Sequence, residues 1–240
     1  MNQKILIIIP ARLASTRLPN KPLADILGKT MIQRVYEQAV AADLGDVLIA
    51  CDGEEIAEVA KKFGAKFVIT DPNLPSGTDR VYAAWQALNK DFEVIVNLQG
   101  DLPNIDPSVI RAAAEAALNR DCDFATVASK ITNPDEITNP NVVKIARAEN
   151  GRALYFSRSA IPHGEGNFLH HIGIYAYKKS ALQKFVKLAP SALEKRESLE
   201  QLRALENDMK IIVEIVDAHP LSVDTPEDLV AVTREIEKQK

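Results

Sequence analysis

A loop near the amino terminus carries the residue types that bind a polyphosphate. Arg12, Arg17 and Lys21 follow the first apolar run closely and are accompanied by the hydroxyl groups of Ser15 and Thr16. Guanidinium and ammonium groups bind phosphate oxygens through charge-assisted hydrogen bonds, and arginine offers a planar pair of donors. The spacing therefore predicts a site for an anion with several phosphate oxygens, although the charges alone also fit a solvated basic loop.

Two carboxylates at the ends of extended segments could hold a divalent cation. Asp101 follows an apolar run through Gly100, where the backbone can turn sharply and approach a ligand, and Asp224 follows the short stretch 221–223. Mg²⁺ takes one or two carboxylates together with phosphate oxygens and water. Each aspartate also has a simpler interpretation, a turn residue for Asp101 and a capping or turn residue for Asp224, and the pair alone leaves both open.

Several common catalytic and binding motifs are absent from the sequence. The GKT at 28–30 resembles the end of a P-loop, but the first glycine of that motif would fall on Leu23. There is no G-x-G-x-x-G, H-E-x-x-H or G-x-S-x-G pattern. His170 and His171 are adjacent, and adjacent side chains of a strand point to opposite faces, so we do not expect them to share one metal.

The predicted elements place the basic loop at the edge of a parallel sheet. Apolar runs alternate with amphipathic segments, which predicts strands at 5–9, 47–51, 66–69 and 94–97 and helices at 31–42, 54–63, 79–88 and 107–118. The run 5–9 is typical of a strand buried on both faces, and Pro10 is expected to end it because proline has no N–H for the ladder. Ligands of open α/β sheets usually bind at the carboxyl ends of such strands.

The second half of the chain has a different pattern. Strands are predicted without helices between them, at 124–128, 142–145, 153–156 and 171–177. A capping box at Ser191 then opens a helix to about Glu206, a strand follows at 211–216, and Thr225 caps the last helix. We therefore expect a single domain over 1–240 with an inserted β-rich lobe at about 125–180, which could supply antiparallel strands and a dimer surface.

Composition limits the possible functions. The 240 residues are 46% apolar and 26% charged, which suits one α/β domain with a sizeable core, and the net charge of −4 argues against general nucleic-acid binding. Cys51 and Cys122 are far apart, so neither a disulfide framework nor a zinc motif is indicated. The cysteine usage fits a reducing, cytoplasmic setting, so we expect a cytoplasmic protein. The first apolar run is too short for a signal peptide, and no window is long enough for a membrane span.

Eight stretches between residues 9 and 229 resemble one family as a set. They are, in order, IPARLASTRLPNKPL, LPSGTDR, IVNLQGDLP, NPNVVK, ALYFSRSAIP, HIGIYAY, LEQLRALE and VDTPEDL. Together they resemble the 3-deoxy-manno-octulosonate cytidylyltransferases, or CMP-Kdo synthetases, over essentially the whole chain. The first stretch is shared in weaker form by other sugar nucleotidyltransferases, whereas the combination is specific to this family.

The resemblance implies a fold and an activity. The fold would be a three-layer nucleotidyltransferase (GT-A-like) α/β fold with a mostly parallel central sheet and a β-rich dimerisation lobe. The enzyme would be a Mg²⁺-dependent homodimer that transfers CMP from CTP to the 2-hydroxyl of 3-deoxy-manno-octulosonate (Kdo). Its products would be CMP-Kdo, used in lipopolysaccharide biosynthesis, and pyrophosphate.

By motif position, the resemblance also implies roles for individual residues. The CTP triphosphate would be bound by Pro10, Ala11, Arg12 and Lys21. The cytidine side would be lined by Asp52, Ser76, Gly77, Thr78 and Arg80. The sugar would face Gln99, Arg158, His171, Tyr175, Glu200 and Gln201. The metal carboxylates would be Asp101 and Asp224, which form the catalytic set with Arg12 and Lys21.

Some of these residues have other interpretations when they are taken singly. Arg158 also suits a surface or interface arginine. His171 and Tyr175, which share a strand face, also suit a half-buried face with satisfied polar tips. Three features depart from the family pattern: Leu102 replaces an acid in QGDLP, Cys51 replaces a threonine, and 162–168 is shorter than expected. Two alternatives therefore remain, a related acidic sugar such as the 8-amino analogue of Kdo, and CTP binding without turnover.

Overall fold

A parallel sheet forms the centre of the first of two units into which the chain divides, Met1–Arg111 with His219–Lys240; the second unit is Ala112–Ala218. The computed structural model describes residues 4–15 and 17–238, so Thr16 of the predicted phosphate loop lies outside the described residues. The strands of the first unit are β1 (Ile5–Ala11), β2 (Asp25–Ile26), β3 (Lys29–Thr30), β4 (Gly45–Cys51), β5 (Phe67–Ile69) and β6 (Val94–Leu98). Four of them form a parallel sheet in the order β6-β1-β4-β5, and β2 and β3 form a separate hairpin.

Helices follow these strands as the alternating pattern predicted. They are α1 (Met31–Ala41), α2 (Glu54–Lys62), α3 (Gly77–Leu88) and α4 (Pro107–Asn119), the last of which continues into the second unit. Thr30 caps α1 by accepting a hydrogen bond from the Gln33 N–H, a role for which threonine is a preferred residue. Ser76 caps α3 in the same way, so that helix begins two residues earlier than the predicted 79–88.

The first strand shows why the sequence pattern was informative. Every residue from Ile5 to Ile9 is buried, as predicted for a strand covered on both faces. The prediction that Pro10 ends the strand is wrong, because β1 continues to Ala11. The pairing of β1 with β6 stops at Ile8, so at Pro10 the strand has no neighbour on the β6 side. Proline can therefore continue the strand there although it has no N–H to donate.

The second unit is a mixed sheet. Its strands are β7 (Phe124–Lys130), β8 (Lys144–Arg147), β9 (Ala153–Ser157), β10 (Leu169–Lys178) and β11 (Ile211–Ile215). The pairs β7–β10, β10–β8 and β8–β9 are antiparallel, as expected for this half, whereas β11 runs parallel to β7. The mixed α/β architecture with a parallel central sheet is therefore confirmed, while the single domain with an inserted lobe and the dimer surface stay predictions.

The helices of the second unit correct two expectations. They are α5 (Asp135–Thr138), α6 (Lys179–Phe185), α7 (Ala192–Glu197) and α8 (Gln201–Leu205). The short α5 lies between β7 and β8, where no helix was predicted. The predicted helix from Ser191 to about Glu206 is divided at Ser198, which has φ 55. Arg158 donates hydrogen bonds to the carbonyl oxygens of Glu197 and Ser198, so these carbonyls are drawn away from a continuous helix.

The chain returns to the first unit with α9 (Pro226–Lys238). As predicted, Thr225 caps this helix, and its Oγ1 accepts a hydrogen bond from the Asp228 N–H at 3.2 Å. Val232 and Ile236 of α9 pack with Ile26 and Met31 in a small apolar cluster. Within 4–15 and 17–238, no helix combines the length and the apolar character that crossing a membrane requires.

Candidate functional site

An open cavity of about 290 Å³ lies in the first unit, at the carboxyl ends of β1 and β6. Its lining residues are Pro10, Ala11, Arg12, Lys21, Pro22, Leu74, Ser76, Gly77, Arg80, Gln99, Gly100, Asp101 and Asp224. The structure thus brings together all the residues predicted for the triphosphate, both predicted metal carboxylates and three of the residues predicted for the cytidine. Pro22 and Leu74 were missed, since nothing in their residue types points to a ligand.

The two carboxylates meet across a single lysine. The Lys21 Nζ lies 3.0 Å from Asp101 Oδ2 and 3.0 Å from Asp224 Oδ1. Arg17 adds a second cation, with its Nη2 3.1 Å from the same Asp224 oxygen. Burial lowers the pKa of Lys21, but the charges of Asp101 and Asp224 outweigh it and leave the pKa raised, so the amine is held as an ammonium ion.

Backbone contacts hold Asp101 and Asp224 close enough for both to bind Lys21. The Val223 N–H donates to the Asp101 carbonyl oxygen at 2.9 Å, which ties the Asp224 segment directly to the loop after β6. Asn104 strengthens the tie because its Oδ1 accepts the Leu221 N–H at 2.9 Å. The pairing of two carboxylates distant in sequence therefore follows from a short irregular contact between loops.

A capping carboxylate orients the second aspartate. Asp228 Oδ2 accepts the backbone N–H groups of Asp224 at 3.0 Å and of Thr225 at 2.9 Å. Asn104 and Asp228 were both missed as positioning residues. The T-x-x-D spacing of 225–228 carried a signal for Asp228, since it forms a capping box, whereas no sequence signal indicated Asn104.

The donor set fits a hard divalent cation bound together with a phosphate group. Within the described part of the chain, no group of three or more His, Cys, Asp or Glu side chains could hold a metal by itself. Asp101 and Asp224 supply two carboxylates, and Mg²⁺ typically binds to one or two carboxylates plus substrate phosphates and water. The residues therefore fit the predicted Mg²⁺ site, which stays a prediction.

The backbone approaches closely at Gly100, one of the residues that line the cavity. A Cβ atom added to Gly100 would lie 3.0 Å from the Pro10 carbonyl oxygen, so a larger residue would push the loop carrying Asp101 away from β1. Gln99 is held by a hydrogen bond from its Nε2 to Asn97 Oδ1 at 3.0 Å. Leu102, which departs from the family pattern, is buried in the core and is not among the lining residues.

The amino-terminal end of α3 lines the cavity through Ser76, Gly77 and Arg80. Ser76 accepts the Asp79 N–H at 3.1 Å, and Gly77 follows it at the first turn, where helix N–H groups favour an anion. Arg80 is almost fully buried, and its Nη1 donates to Thr70 Oγ1 at 2.5 Å and to the Asp71 carbonyl oxygen at 3.3 Å. Burial lowers the pKa of Arg80.

Asp52 and Thr78, both predicted for the cytidine side, are not among the described residues that line the cavity. The Asp52 carboxylate accepts the Leu13 N–H at 3.1 and 3.3 Å, which fixes the loop after β1. Thr78 is buried, and its Oγ1 accepts a hydrogen bond from Asn97 Nδ2 at 3.2 Å. The contacts of both side chains are with the protein, and their predicted roles stay predictions.

Most of the residues predicted for the sugar lie in the second unit, whereas Gln99 lies in the first. His171 Nε2 is 2.9 Å from Thr126 Oγ1, and that hydroxyl donates to the Ile174 carbonyl oxygen at 2.7 Å. The hydroxyl proton is thereby used, so the His171 ring donates from Nε2. Burial lowers the pKa of His171 to about 3, which keeps the ring neutral.

Tyr175 and Gln201 form a partly buried polar contact beside this histidine. The Tyr175 hydroxyl donates to Gln201 Oε1 at 3.2 Å, and burial raises the pKa of the Tyr175 phenol. The Tyr175 and His171 rings lie with their centroids 5.6 Å apart. Within the described residues, Gln201 Nε2 is buried without a hydrogen-bond partner, and Glu200 precedes it. An unpaired buried amide is a group that a ligand could satisfy.

Arg158 is engaged by the backbone. Its guanidinium donates to the carbonyl oxygens of Glu197 at 2.8 Å, Pro140 at 2.9 Å and Ser198 at 3.4 Å. The Glu197 carboxylate in turn accepts the Ser157 hydroxyl at 2.8 Å and the Arg158 N–H at 3.0 Å. The predicted contact between Arg158 and the sugar stays a prediction.

Comparisons with known proteins agree with one another. The family model described as cytidylyltransferase matches residues 6–211. A 3-deoxy-manno-octulosonate cytidylyltransferase of Brucella ovis is 54% identical over 94% of this chain and 93% of its own length. The protein of the same name from Rhodospirillum rubrum is 52% identical over 93% of this chain and 92% of its own.

A solved structure supports the same assignment. It is described as CMP:2-keto-3-deoxy-manno-octonic acid synthetase complexed with CTP, and it superposes with a TM-score of 0.93 at 37% identity, covering 99% of this chain and 100% of that one. Both the sequence and the fold are therefore shared along essentially the whole length. The chain belongs to the 3-deoxy-manno-octulosonate cytidylyltransferase family.

Proposed function

We propose that this protein transfers CMP from CTP to the 2-hydroxyl of Kdo, releasing pyrophosphate. The observation that carries the proposal is the cavity in which Arg12, Lys21, Asp101 and Asp224 converge at the carboxyl ends of β1 and β6. Membership of the family gives the proposal its nucleotide and its sugar. We also propose that the enzyme works in the cytoplasm as a homodimer and supplies CMP-Kdo for lipopolysaccharide biosynthesis.

CMP transfer requires mainly that the reacting groups are positioned and that the negative charge of the phosphates is neutralised. The sugar hydroxyl attacks the α-phosphorus while pyrophosphate leaves in line, so the protein has little covalent work to do. Arg12 and Lys21 bind the triphosphate and stabilise the negative charge that builds on the leaving pyrophosphate. The N–H groups at the start of α3 favour the same anion, since Ser76 and Gly77 line the cavity.

Asp101 and Asp224 would hold Mg²⁺, which when bound supplies positive charge to the reacting phosphate. The residues proposed for the sugar are polar, and two of them, His171 and Gln201, are buried. The His171 ring is neutral there, because burial lowers its pKa to about 3, and its one N–H is already donated to Thr126. Toward the sugar its Nδ1 is therefore a hydrogen-bond acceptor and not a donor. Gln201 Nε2 is the donor proposed to meet a hydroxyl or carboxylate of the sugar acid.

A pyrophosphate-release assay tests the proposal. Purified full-length protein is mixed with CTP, Kdo and Mg²⁺, and pyrophosphate and CMP-Kdo are measured, with ATP, GTP and UTP as nucleotide controls. We expect product with CTP only, and none after chelation of the divalent cation. Silence of the protein beside an active reference enzyme contradicts the proposal.

The two alternatives are outcomes of the same assay. Faster release with the 8-amino analogue of Kdo than with Kdo changes the sugar but not the reaction class. CTP binding without pyrophosphate under any acidic sugar indicates a binding protein without turnover. The buried position of Leu102 makes the second outcome the less expected one, because that departure from the family lies outside the cavity lining.

A further inference from the structure

The two carboxylates proposed for the metal already carry cations from the chain itself. Lys21 Nζ lies 3.0 Å from an oxygen of each aspartate, and Arg17 lies 3.1 Å from Asp224. Two positive charges thus face two negative ones. A free divalent cation that reaches Asp101 and Asp224 meets a pair that is already neutralised, so its electrostatic gain is small.

The same lysine can reach a second anion. Lys21 lines the cavity together with Arg12 and Gly77, where a triphosphate is proposed to bind, and its side chain is 19% exposed. An ammonium ion on a four-carbon stem can change partners without moving the backbone. A triphosphate offers it several negative oxygens in exchange for the two carboxylates.

We propose that Lys21 couples the two ligands, so that the carboxylate pair accepts a divalent cation together with a triphosphate and largely rejects the free ion. While the ammonium bridges Asp101 and Asp224, the free ion binds weakly. When a triphosphate takes the ammonium, the carboxylates become available to the ion that the triphosphate carries. The inference rests on the proposed function and deepens it by naming the form in which the metal is accepted.

The coupling has a defined thermodynamic signature. A triphosphate that raises the affinity for the ion must itself bind more tightly in the presence of the ion, by the same factor. Couplings of this kind are typically about 5- to 150-fold. Removing the lysine should tighten the binding of the free ion and reduce the coupling, which is the opposite of what loss of a simple metal or phosphate contact would do.

Mn²⁺ serves as the probe because its free concentration is measured directly by electron paramagnetic resonance. Dissociation constants are measured for the full-length protein and for Lys21→Met, without nucleotide and with the non-reacting cytidine 5′-(α,β-methylene)triphosphate, after correction for Mn²⁺ bound to the analogue alone. Lys29→Met is the matched control, since Lys29 pairs with Glu37 and does not line the cavity. No sugar is present, so the measurement is independent of turnover.

For Lys21→Met we expect about tenfold tighter Mn²⁺ binding without nucleotide, and a coupling reduced to about twofold or less, against about 5- to 150-fold in the wild type. Unchanged or weaker Mn²⁺ binding overturns the inference, as does equal tightening by Lys29→Met. If Lys21→Met does not fold, Arg17→Gln decides: it should tighten Mn²⁺ binding about twofold, because that ion pair is exposed, and no change overturns the inference.

The two proposals fail separately. A wild-type protein that makes CMP-Kdo while Lys21→Met leaves Mn²⁺ affinity unchanged keeps the function and loses the coupling. A protein that makes no CMP-Kdo but shows tighter Mn²⁺ binding in Lys21→Met keeps the coupling and loses the function.

Discussion

Two lysines, one in each unit, are withdrawn from solvent in different ways. Lys21 in the first unit is held by the carboxylates of Asp101 and Asp224, each at 3.0 Å. Lys144 in the second unit is fully buried, and its Nζ donates to three backbone carbonyl oxygens, those of Val142 and Arg158 at 2.6 Å and of Asn139 at 2.8 Å. An ammonium ion has three N–H donors, and each of these carbonyls can take one.

This difference between the partners of Lys21 and Lys144 indicates which of the two lysines can bind a ligand. The partners of Lys21 are charged side chains at the edge of an open cavity, so another anion can replace them. The partners of Lys144 are backbone groups, and releasing the ammonium would leave buried carbonyls without a donor. Arg158 follows Lys144 in this respect, since its guanidinium also donates to backbone carbonyls. We infer that Lys21 serves ligands and that Lys144 holds the fold.

The largest expected effect is on turnover, from the partners of Lys21. Asp101→Asn and Asp224→Asn should each lower kcat/KM by about 10³-fold, because each removes one negative charge from the proposed metal site. The melting temperature should change by only a few degrees, since both aspartates are partly exposed. Steady-state pyrophosphate release and thermal unfolding together check the prediction.

Asp121→Asn is the control for that pair of variants. Asp121 also pairs with a lysine, Lys210, but its side chain is 90% exposed in the second unit. Turnover of this variant should match the wild type. If Asp101→Asn or Asp224→Asn keeps a near-normal rate, the proposed metal role of that aspartate is wrong.

The next effect is on stability and contrasts the two lysines directly. Lys144→Met should lower the free energy of unfolding by about 3 kcal/mol, because it leaves buried carbonyls without a donor. Lys21→Met should lower it by about 1 kcal/mol, since the two carboxylates it leaves can take up water. Urea unfolding followed by circular dichroism measures both. Equal losses in the two variants would remove the distinction between a ligand-facing and a fold-holding lysine.

Much of the fold could be predicted from local sequence patterns. The four strands of the parallel sheet follow from apolar runs, whereas the β2–β3 hairpin was not predicted. The helix starts follow from caps at Thr30, Ser191 and Thr225. The predicted helix across Ser198 was wrong because its break depends on Arg158, which is 40 residues away in sequence. The extension of β1 through Pro10 likewise depends on where the pairing with β6 stops.

The individual residues of the site could be predicted from the sequence, whereas the contacts between them could not. The basic loop, Asp101 and Asp224 carried signals because each follows an extended segment, and the family resemblance then favoured the metal role of both aspartates. The contact between the two aspartates rests on a hydrogen bond from the Val223 N–H to the Asp101 carbonyl oxygen, which no local pattern indicates. The bridging role of Lys21 was missed for the same reason, since the sequence predicted only a phosphate partner for it.

A third prediction concerns the pH dependence of stability in the second unit. Burial lowers the pKa of His171 to about 3 in the folded protein, whereas an unfolded histidine titrates near 6.5. Between these values only the unfolded chain takes the proton, so stability falls as the pH falls below about 6.5. His171 should therefore remove about 2 kcal/mol of stability between pH 7 and pH 5.

His171→Asn tests this because asparagine does not titrate. Its free energy of unfolding should decline about 2 kcal/mol less between pH 7 and pH 5 than that of the wild type, whatever the variant loses at pH 7. His170→Asn is the control, since His170 is partly exposed and lies 3.2 Å from Glu136. Identical pH slopes for wild type and His171→Asn would show that His171 is protonated in the folded state.

The smallest expected effect distinguishes Ser76 from Ser191, which are both helix N-caps but lie in different units. Ser76 caps α3 at the cavity, and Ser191 caps α7 in a capping box. Each change to alanine should lower the free energy of unfolding by about 1 kcal/mol. Only Ser76→Ala should also weaken CTP binding, by about threefold, because the first turn of α3 lines the cavity. Isothermal titration with CTP measures this, and equal weakening by Ser191→Ala would mean that the effect comes from lost stability and not from the position of Ser76.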